Sequence, residues 1–248
     1  MQVAPGVEML ELSAMLMNGP GTLCPTLIWN RENAVLVDAG LPGMAQQFLE
    51  AIRQAGVSPE RLTTIVVTHH DLDHIGSLGG LQRLTSNRVK IMAHAGEVPY
   101  IQGELRPIKM TPDMMAQMEE RMKSLPEEQR QALKAVRESM NQKLTVDRTL
   151  ADSEVLPFCG GIQIIHTPGH TPGHICLYLQ ASKTLIAGDS LFVEAGKLAP
   201  APAFINADTP LALRSLEKLT QFDIANVIAY HGGLFRDSPN TRIKKMSS

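Results

Sequence analysis

Short apolar runs closed by turn signals alternate with segments of helical period along the first third of the chain. Residues 7–12, 26–29 and 34–37 have the apolar and β-branched content of strands, and the last ends at Asp38-Ala39-Gly40. Between residues 44 and 55, Leu49, Ile52 and the neighbouring alanines fall on a helical period that Gly56 stops. Residues 64–67 form a β-branched strand that runs directly into the loop THHDLDH, and a helix over 79–84 and a strand over 90–93 follow. The last third returns to short strands at 162–165, 175–179 and 184–187, then a helix near 211–219 and a strand near 227–229. Residues 198–203, LAPAPA, are expected as a loop. Strands alternating with helices predict an α/β layout.

The middle of the chain differs in kind. Thr111-Pro112 suits an N-cap and first helical position, and Met110, Met114, Met118 and Met122 fall four apart on one face. Ser124 and Glu127 then make a capping box opening a second helix, with Leu133, Val136, Met140 and Leu144 on its apolar side. This predicts a helical hairpin over residues 105–147, inserted within one domain spanning 1–248. Its methionine stripe has three uses open to it: packing on the body of the domain, a substrate lid, or a homodimer contact, since thioether surfaces adapt to varied partners.

Composition narrows the classes. A chain of 248 residues with 44% hydrophobic content can bury a sizeable core. Its net charge of −2 is scattered, without the basic stripe that nucleic-acid binding needs. Cys24, Cys159 and Cys176 have no CxxC spacing, which points to buried thiols in a reducing compartment. The N-terminus lacks a basic n-region, and no apolar run approaches the roughly 20 residues of a membrane span. The expectation is a soluble cytoplasmic protein with a small-molecule substrate and neither a nucleic-acid nor a membrane partner.

The chemistry gathers at strand ends. THHDLDHIG, residues 68–76, holds three of the eight histidines of the chain, interleaved with two aspartates. Three further segments follow in order: HTPGHTPGH with His170, AGDS with Asp189, and AYHGG with His231. Imidazole and carboxylate together suit borderline divalent ions such as zinc, iron or manganese. The candidates His69, Asp71, Asp73, His74, His170, Asp189 and His231 are too many for one tetrahedral ion. They suit two ions sharing a bridging carboxylate.

In these motifs the sequence resembles the metallo-β-lactamase superfamily, whose HxHxDH pattern precedes a histidine in HTPGHT, an aspartate after a strand and a late histidine. Alignment on Asp73-His74 places His69 at the first histidine and Asp71 at the second, and the likeness extends from Asp38-Ala39-Gly40 to His231. The resemblance implies a four-layer αβ/βα sandwich with a dinuclear site at its rim. It assigns His69, Asp71 and His170 to one metal, Asp73, His74 and His231 to the other, and Asp189 as the bridge. The implied activity is hydrolysis of a small ester, lactone or thioester by a metal-bridging hydroxide, with Asp73 positioning that hydroxide and receiving its proton. Two alternatives stay open: an iron-dependent oxidoreductase similar to sulfur dioxygenases, and a non-catalytic metal-binding module.

One position departs from the family pattern. Two divalent ions facing two aspartates and a hydroxide carry one formal positive charge, which a third aspartate at residue 71 cancels. Such a cluster depresses the pKa of its water less, attracts anions less, and moves preference somewhat toward manganese or iron, with two zinc ions still the expected cofactors. Lactonases of the family often carry a tyrosine three residues after the bridging aspartate, where Phe192 stands here. Around the ligands, Asp38 or Thr68 is expected to orient a metal histidine, His70 to lie behind the ligands or face solvent, and His166 and His174 to be structural or supporting. His94 is either a substrate contact or a structural histidine.

Overall fold

The computed structural model describes residues 1–16, 19–86, 88–109 and 144–247, with isolated positions 113, 116, 120, 123 and 127. A seven-stranded sheet runs in the order β1 (Gln2–Ala4), β2 (Val7–Met9), β5 (Thr26–Trp29), β6 (Ala34–Val37), β7 (Leu62–Val67), β8 (Lys90–His94) and β9 (Arg148–Leu150). Its first half is antiparallel, and from β6 to β9 each pair is parallel. A six-stranded sheet follows as β10 (Val155–Leu156), β11 (Ile162–His166), β12 (Ile175–Leu179), β13 (Thr184–Ile186), β16 (Asn226–Ala229) and β17 (Gly233–Phe235). Two hairpins stand apart, β3 (Leu12–Leu16) with β4 (Gly19–Leu23), and β14 (Leu191–Glu194) with β15 (Lys197–Pro200).

Period-two alternation explains why these strands read as continuous apolar runs. In β6, Val35 and Val37 point into the cluster between the sheets, while Ala34 and Leu36 point outward under helices. In β12, Ile175, Leu177 and Leu179 face the other sheet, and Cys176 and Tyr178 face away. The outer face of the first sheet is covered by α1 (Ala45–Gln54) and α3 (Leu78–Leu84), through Phe48, Leu49, Ile52 and Leu81. The outer face of the second is covered by α5 (Thr209–Leu219) and α6 (Pro239–Met246), through Leu216, Leu219 and Ile243. Helix, sheet, sheet, helix is the predicted four-layer αβ/βα sandwich. Two short helices, α2 (Leu72–Ile75) and α4 (Val98–Ile101), complete the described set.

Some expected boundaries change. The strand expected at 7–12 is divided, because Leu12 begins the β3–β4 hairpin. The segment expected as a loop at 198–203 is half strand: Lys197–Pro200 pairs with Leu191–Glu194 and buries Leu198. Pro200 ends that strand on an edge, where its missing N–H removes no ladder bond. For the inserted helical hairpin, Met110, Met114, Met118, Met122, Leu133, Val136 and Met140 lie outside the described residues. Leu144 and Val146 are half-buried against the outer core of the first sheet. No helix among the described residues is long and apolar enough to cross a membrane.

The sheets meet so that the carboxyl ends of β6, β7, β11, β13 and β16 open on one edge. There the Ile175 N–H donates to Thr68 O at 3.1 Å and the Cys24 N–H to Tyr230 O at 2.9 Å, joining loops of the two sheets. Loops beyond strand carboxyl ends are where α/β proteins place their sites.

Candidate metal centre

The loop after β7 is shaped by Asp38, which ends β6 with a left-handed φ of 65° and is buried. Its Oδ1 accepts the Thr68 N–H at 2.8 Å, and its Oδ2 accepts the Thr68 hydroxyl at 2.8 Å and faces His74 Nδ1 at 2.9 Å. Because the Thr68 hydroxyl donates to Asp38, it accepts from His69 Nδ1, 3.0 Å away. His170 Nδ1 likewise faces Asn206 Oδ1 at 3.1 Å. These partners put a proton on Nδ1 of each ring and turn Nε2 into the shared edge. Carbonyl and carboxylate partners commonly fix metal-binding histidines in this way.

Those nitrogens converge with the carboxylates. His69 Nε2, Asp71 Oδ2 and His170 Nε2 stand 3.1–3.3 Å from one another. Four ligands about 2.0–2.1 Å from a tetrahedral ion are themselves about 3.3–3.4 Å apart, so the triangle has the size of an ion's face. Beside it, Asp73 Oδ2 lies 3.2 Å from His231 Nε2 and 3.7 Å from His74 Nε2. Asp189 spans both groups: Oδ1 is 3.2 Å from His74 Nε2, while Oδ2 is 3.5 Å from both His170 Nε2 and His231 Nε2. Two ion-sized donor groups result, one containing His69, His170 and Asp189, the other Asp73, His74 and His231. His74 Nε2 and Asp189 Oδ1 are buried without a hydrogen-bond partner. Buried polar atoms are rarely left so, and a cation would satisfy both. The donor set therefore fits a pair of divalent ions, and all seven sequence-predicted residues lie around it.

Charge is distributed unevenly across the edge. Burial pulls the His231 imidazole down, but Asp189 and Asp73 outweigh it and lift its pKa to about 9. Burial likewise opposes protonation of His74, and Asp38, Asp189 and Asp73 overcome it, raising its pKa well above the usual imidazole value. His69 goes the other way, held well below by burial and by the neighbouring His74. Burial pushes the Asp71 carboxyl up, yet His69, His170 and Lys109 hold it well below the carboxylate range. These are the pulls an ion would replace.

Several supporting groups complete the edge. His174 is buried, and burial together with His170 keeps its pKa well below the ordinary value. It faces Thr167 Oγ1 at 2.9 Å through Nδ1 and accepts the backbone N–H of Asp189 at 3.0 Å through Nε2, so it positions the bridging carboxylate. Gly188 makes room for this: its φ is +51°, and a Cβ there would stand 2.7 Å from His174 Nε2. The Tyr230 hydroxyl donates to Asp73 O at 2.5 Å, and its ring lies 3.9 Å from that of His74.

His70 does not face solvent. It is buried against Tyr100 and paired with the carboxylate of Glu97, which also accepts the His70 N–H at 2.8 Å, the Thr171 hydroxyl at 2.8 Å and the Gly173 N–H at 2.6 Å. Glu97 thereby fastens the loop of His69 and Asp71 to the loop of His170. His94 and His166 stack on each other with centroids 4.0 Å apart; His94 Nδ1 accepts the Gly96 N–H and His166 donates to Pro172 O. Burial and His166 lower the His94 pKa. Sequence patterns gave no sign of Glu97, Asn206 or Lys109, which have no motif spacing and become legible only when the loops meet. Lys109 Nζ contacts Asp71 Oδ2 and lies 2.7 Å from His170 Nε2.

Comparison with known proteins agrees with this geometry. The family model described as metallo-beta-lactamase superfamily matches residues 25–231. The probable metallo-hydrolase YflN of Bacillus subtilis is 30% identical over 209 residues, covering 80% of this chain and 75% of that protein. An N-acyl homoserine lactonase from a Bacillus species is 24% identical over 82% of this chain and 78% of its own length. Among solved structures, a metallo-beta-lactamase family protein of Thermus thermophilus superposes with a TM-score of 0.69 at 24% identity, covering 99% of this chain and 79% of that one. A sandwich of two sheets whose strand ends converge on seven imidazole and carboxylate donors, matched over most of its length by that family model, places the chain in the metallo-beta-lactamase superfamily.

Proposed function

We propose that the chain is a dinuclear metal-dependent hydrolase of small, partly apolar esters, lactones or thioesters. The observation that carries this is the convergence of His69, Asp71, Asp73, His74, His170, Asp189 and His231 into two adjoining ion-sized groups joined by Asp189. Two divalent ions bound there would lower the pKa of a shared water and polarise the scissile carbonyl. The relatives lend support: YflN is named a probable metallo-hydrolase, and one other is a lactonase.

The residues of the chain divide the remaining work. Asp73 is the most exposed of the three carboxylates, with a side chain 27% accessible against 19% for Asp71 and 5% for Asp189. It therefore faces the entering substrate and is placed to take the proton released on attack. Asp38 and Thr68 keep His74 and His69 in the tautomer that offers Nε2 inward. Exposed apolar side chains support an apolar acyl group: Leu213 lines the groove of His170 and Asn206, and Leu72, Ile108 and Phe204 lie within two residues of Asp71, Lys109 and Asn206 along the chain. The Phe192 ring lies tilted against His231, centroids 4.8 Å apart, and has no hydroxyl to assist a carbonyl oxygen.

The test is a panel of esters, lactones, thioesters and phosphodiesters assayed with metal-loaded protein and Asp73→Asn. Hydrolysis of an acyl substrate that falls about 100-fold or more in the variant, at unchanged thermal stability, is expected. Oxygen consumption without hydrolysis, or full activity in Asp73→Asn, would overturn it.

A further inference from the structure

Lys109 ends the described part of the segment leading into the methionine-rich stretch, and its side chain is one-quarter exposed. It reaches back to the first donor group alone, touching Asp71 Oδ2 and His170 Nε2. His170 Nδ1 carries its proton toward Asn206 Oδ1, so Nε2 has one lone pair, and the ammonium donates to it. That lone pair is also the one aimed at the ion's place beside His69 and Asp71. One lone pair serves an N–H donor or a metal, not both. The Asp71 carboxylate oxygen engaged by Lys109 is the same one that faces His69 and His170.

The two residues make sense together. A histidine at residue 71 would offer an ammonium no counter-charge at that position, whereas a carboxylate there draws one in. No comparable cation reaches the second donor group in any described contact. Among the described contacts, only the first group is held by a tethered ammonium.

We propose that Lys109 is a tethered competitor for the first metal position and sets its affinity, so that the chain loads the Asp73–His74–His231 group first. The first ion position fills only as the Lys109 ammonium withdraws to the rim, where it becomes available to a carboxylate or carbonyl oxygen of the substrate. This presupposes the two-ion reading of the site and adds an order of loading to it.

The experiment is titration of metal-free protein with Zn²⁺ against a chromophoric chelator, for wild type, Lys109→Met and Lys109→Arg. It is repeated in a His231→Ala background, which isolates the first group. Wild type is expected to take one ion tightly and a second at least about tenfold more weakly. Lys109→Met should tighten that weaker step about tenfold or more and leave the tight step unchanged, since loss of one charge-assisted hydrogen bond is worth at least that factor. Lys109→Arg, which keeps the cation, should stay weak. Mass-spectrometric labelling of the Lys109 amine in wild type should rise when the second ion binds. Two ions bound equally by wild type and Lys109→Met, weaker first-site binding in Lys109→Met, or labelling that does not change on loading would each overturn the proposal while the two-ion reading stands. A single ion bound by both proteins would overturn the two together.

Discussion

Replacing Asp38 by Asn tests whether a residue that never touches the ions controls one of them. The carboxylate accepts three hydrogen bonds, from the Thr68 backbone, the Thr68 hydroxyl and His74 Nδ1, and is 1% exposed. Asn keeps the shape but only one acceptor oxygen. With that oxygen on the Thr68 N–H, its amide group points at Thr68 Oγ1 and His74 Nδ1. The hydroxyl can rotate to accept, but the imidazole can accept only by moving its proton to Nε2, the atom that faces Asp189 and Asp73. Restoring the ligand tautomer sets N–H against N–H and gives up a charge-assisted bond worth about 1.5–3 kcal/mol, a factor of roughly 10–100 in affinity for the second ion. The metal-free protein keeps a hydrogen bond through the shifted tautomer, so its Tm should fall by less than the roughly 3–12 °C that outright loss of the bond would give at about 2–4 °C per kcal/mol. Chelator-competition titration and thermal unfolding of wild type and Asp38→Asn, with His74→Ala for reference, make the measurement. Second-site affinity within twofold of wild type in Asp38→Asn, while His74→Ala abolishes it, would refute tautomer control.

Metal affinity should climb with pH, because an ion must displace the protons of His231, whose pKa is lifted to about 9, and of His74, also raised. Competition titrations between pH 6.5 and 9 should show an increase of about tenfold per unit per displaced proton, and a flat profile would contradict the assignment. The metal-free protein should behave in the opposite sense: a raised folded-state pKa for His231 gives stability fully present below about 6.5 and lost as pH rises through about 9, measured by urea unfolding in chelator. Glu97→Ala leaves three buried donors and His70 without their acceptor and should cost about 3–5 kcal/mol in unfolding experiments. Glu97→Gln should retain part of that stability but weaken first-site metal binding, because both ligand loops hang on this carboxylate.

The fold was legible where burial is two-sided and illegible where it is one-sided. Strands β6 and β12 are apolar throughout, and β5, β7, β8 and β11 over most of their length, because each lies between a helix layer and a facing sheet, and such runs announce themselves. The β3–β4 hairpin contains Gly19-Pro20-Gly21 and buries little beyond Leu12 and Leu23, so its sequence resembles a loop although it pairs over five registers. Leu198-Ala199-Pro200 misled in the same way, since proline is tolerated at an edge that a period-two pattern does not mark. The terminal helix α6 carries Asn240, Arg242, Lys244 and Lys245 around one buried Ile243, too narrow a stripe to read without the sheet it covers.

For the site, what could be seen from sequence was set by the kind of constraint each residue obeys. A metal ligand needs a particular donor at a particular distance from others on the same loop, which compresses His69, Asp71, Asp73 and His74 into six residues and makes a motif. A group that positions a ligand needs only to arrive from somewhere: Asp38 and Thr68 could be anticipated at neighbouring strand ends, but Glu97, Lys109 and Asn206 arrive from three separate segments. The His170 loop illustrates the difference: His170 shows in HTPGHTPGH, but what holds it is Asn206 on one side and, through Thr171 and Gly173, Glu97 on the other. Asn206 lies 36 residues along the chain from His170, and Glu97 lies 74 residues from Thr171, so only the fold brings them together. The ligands come from both sheets, with His69 to His74 from the first and His170, Asp189 and His231 from the second, so an ion would bridge the halves of the sandwich. Metal binding should accordingly resist separation of the sheets as well as serve chemistry, and a loss of the Glu97 clasp should be partly repaired by saturating metal.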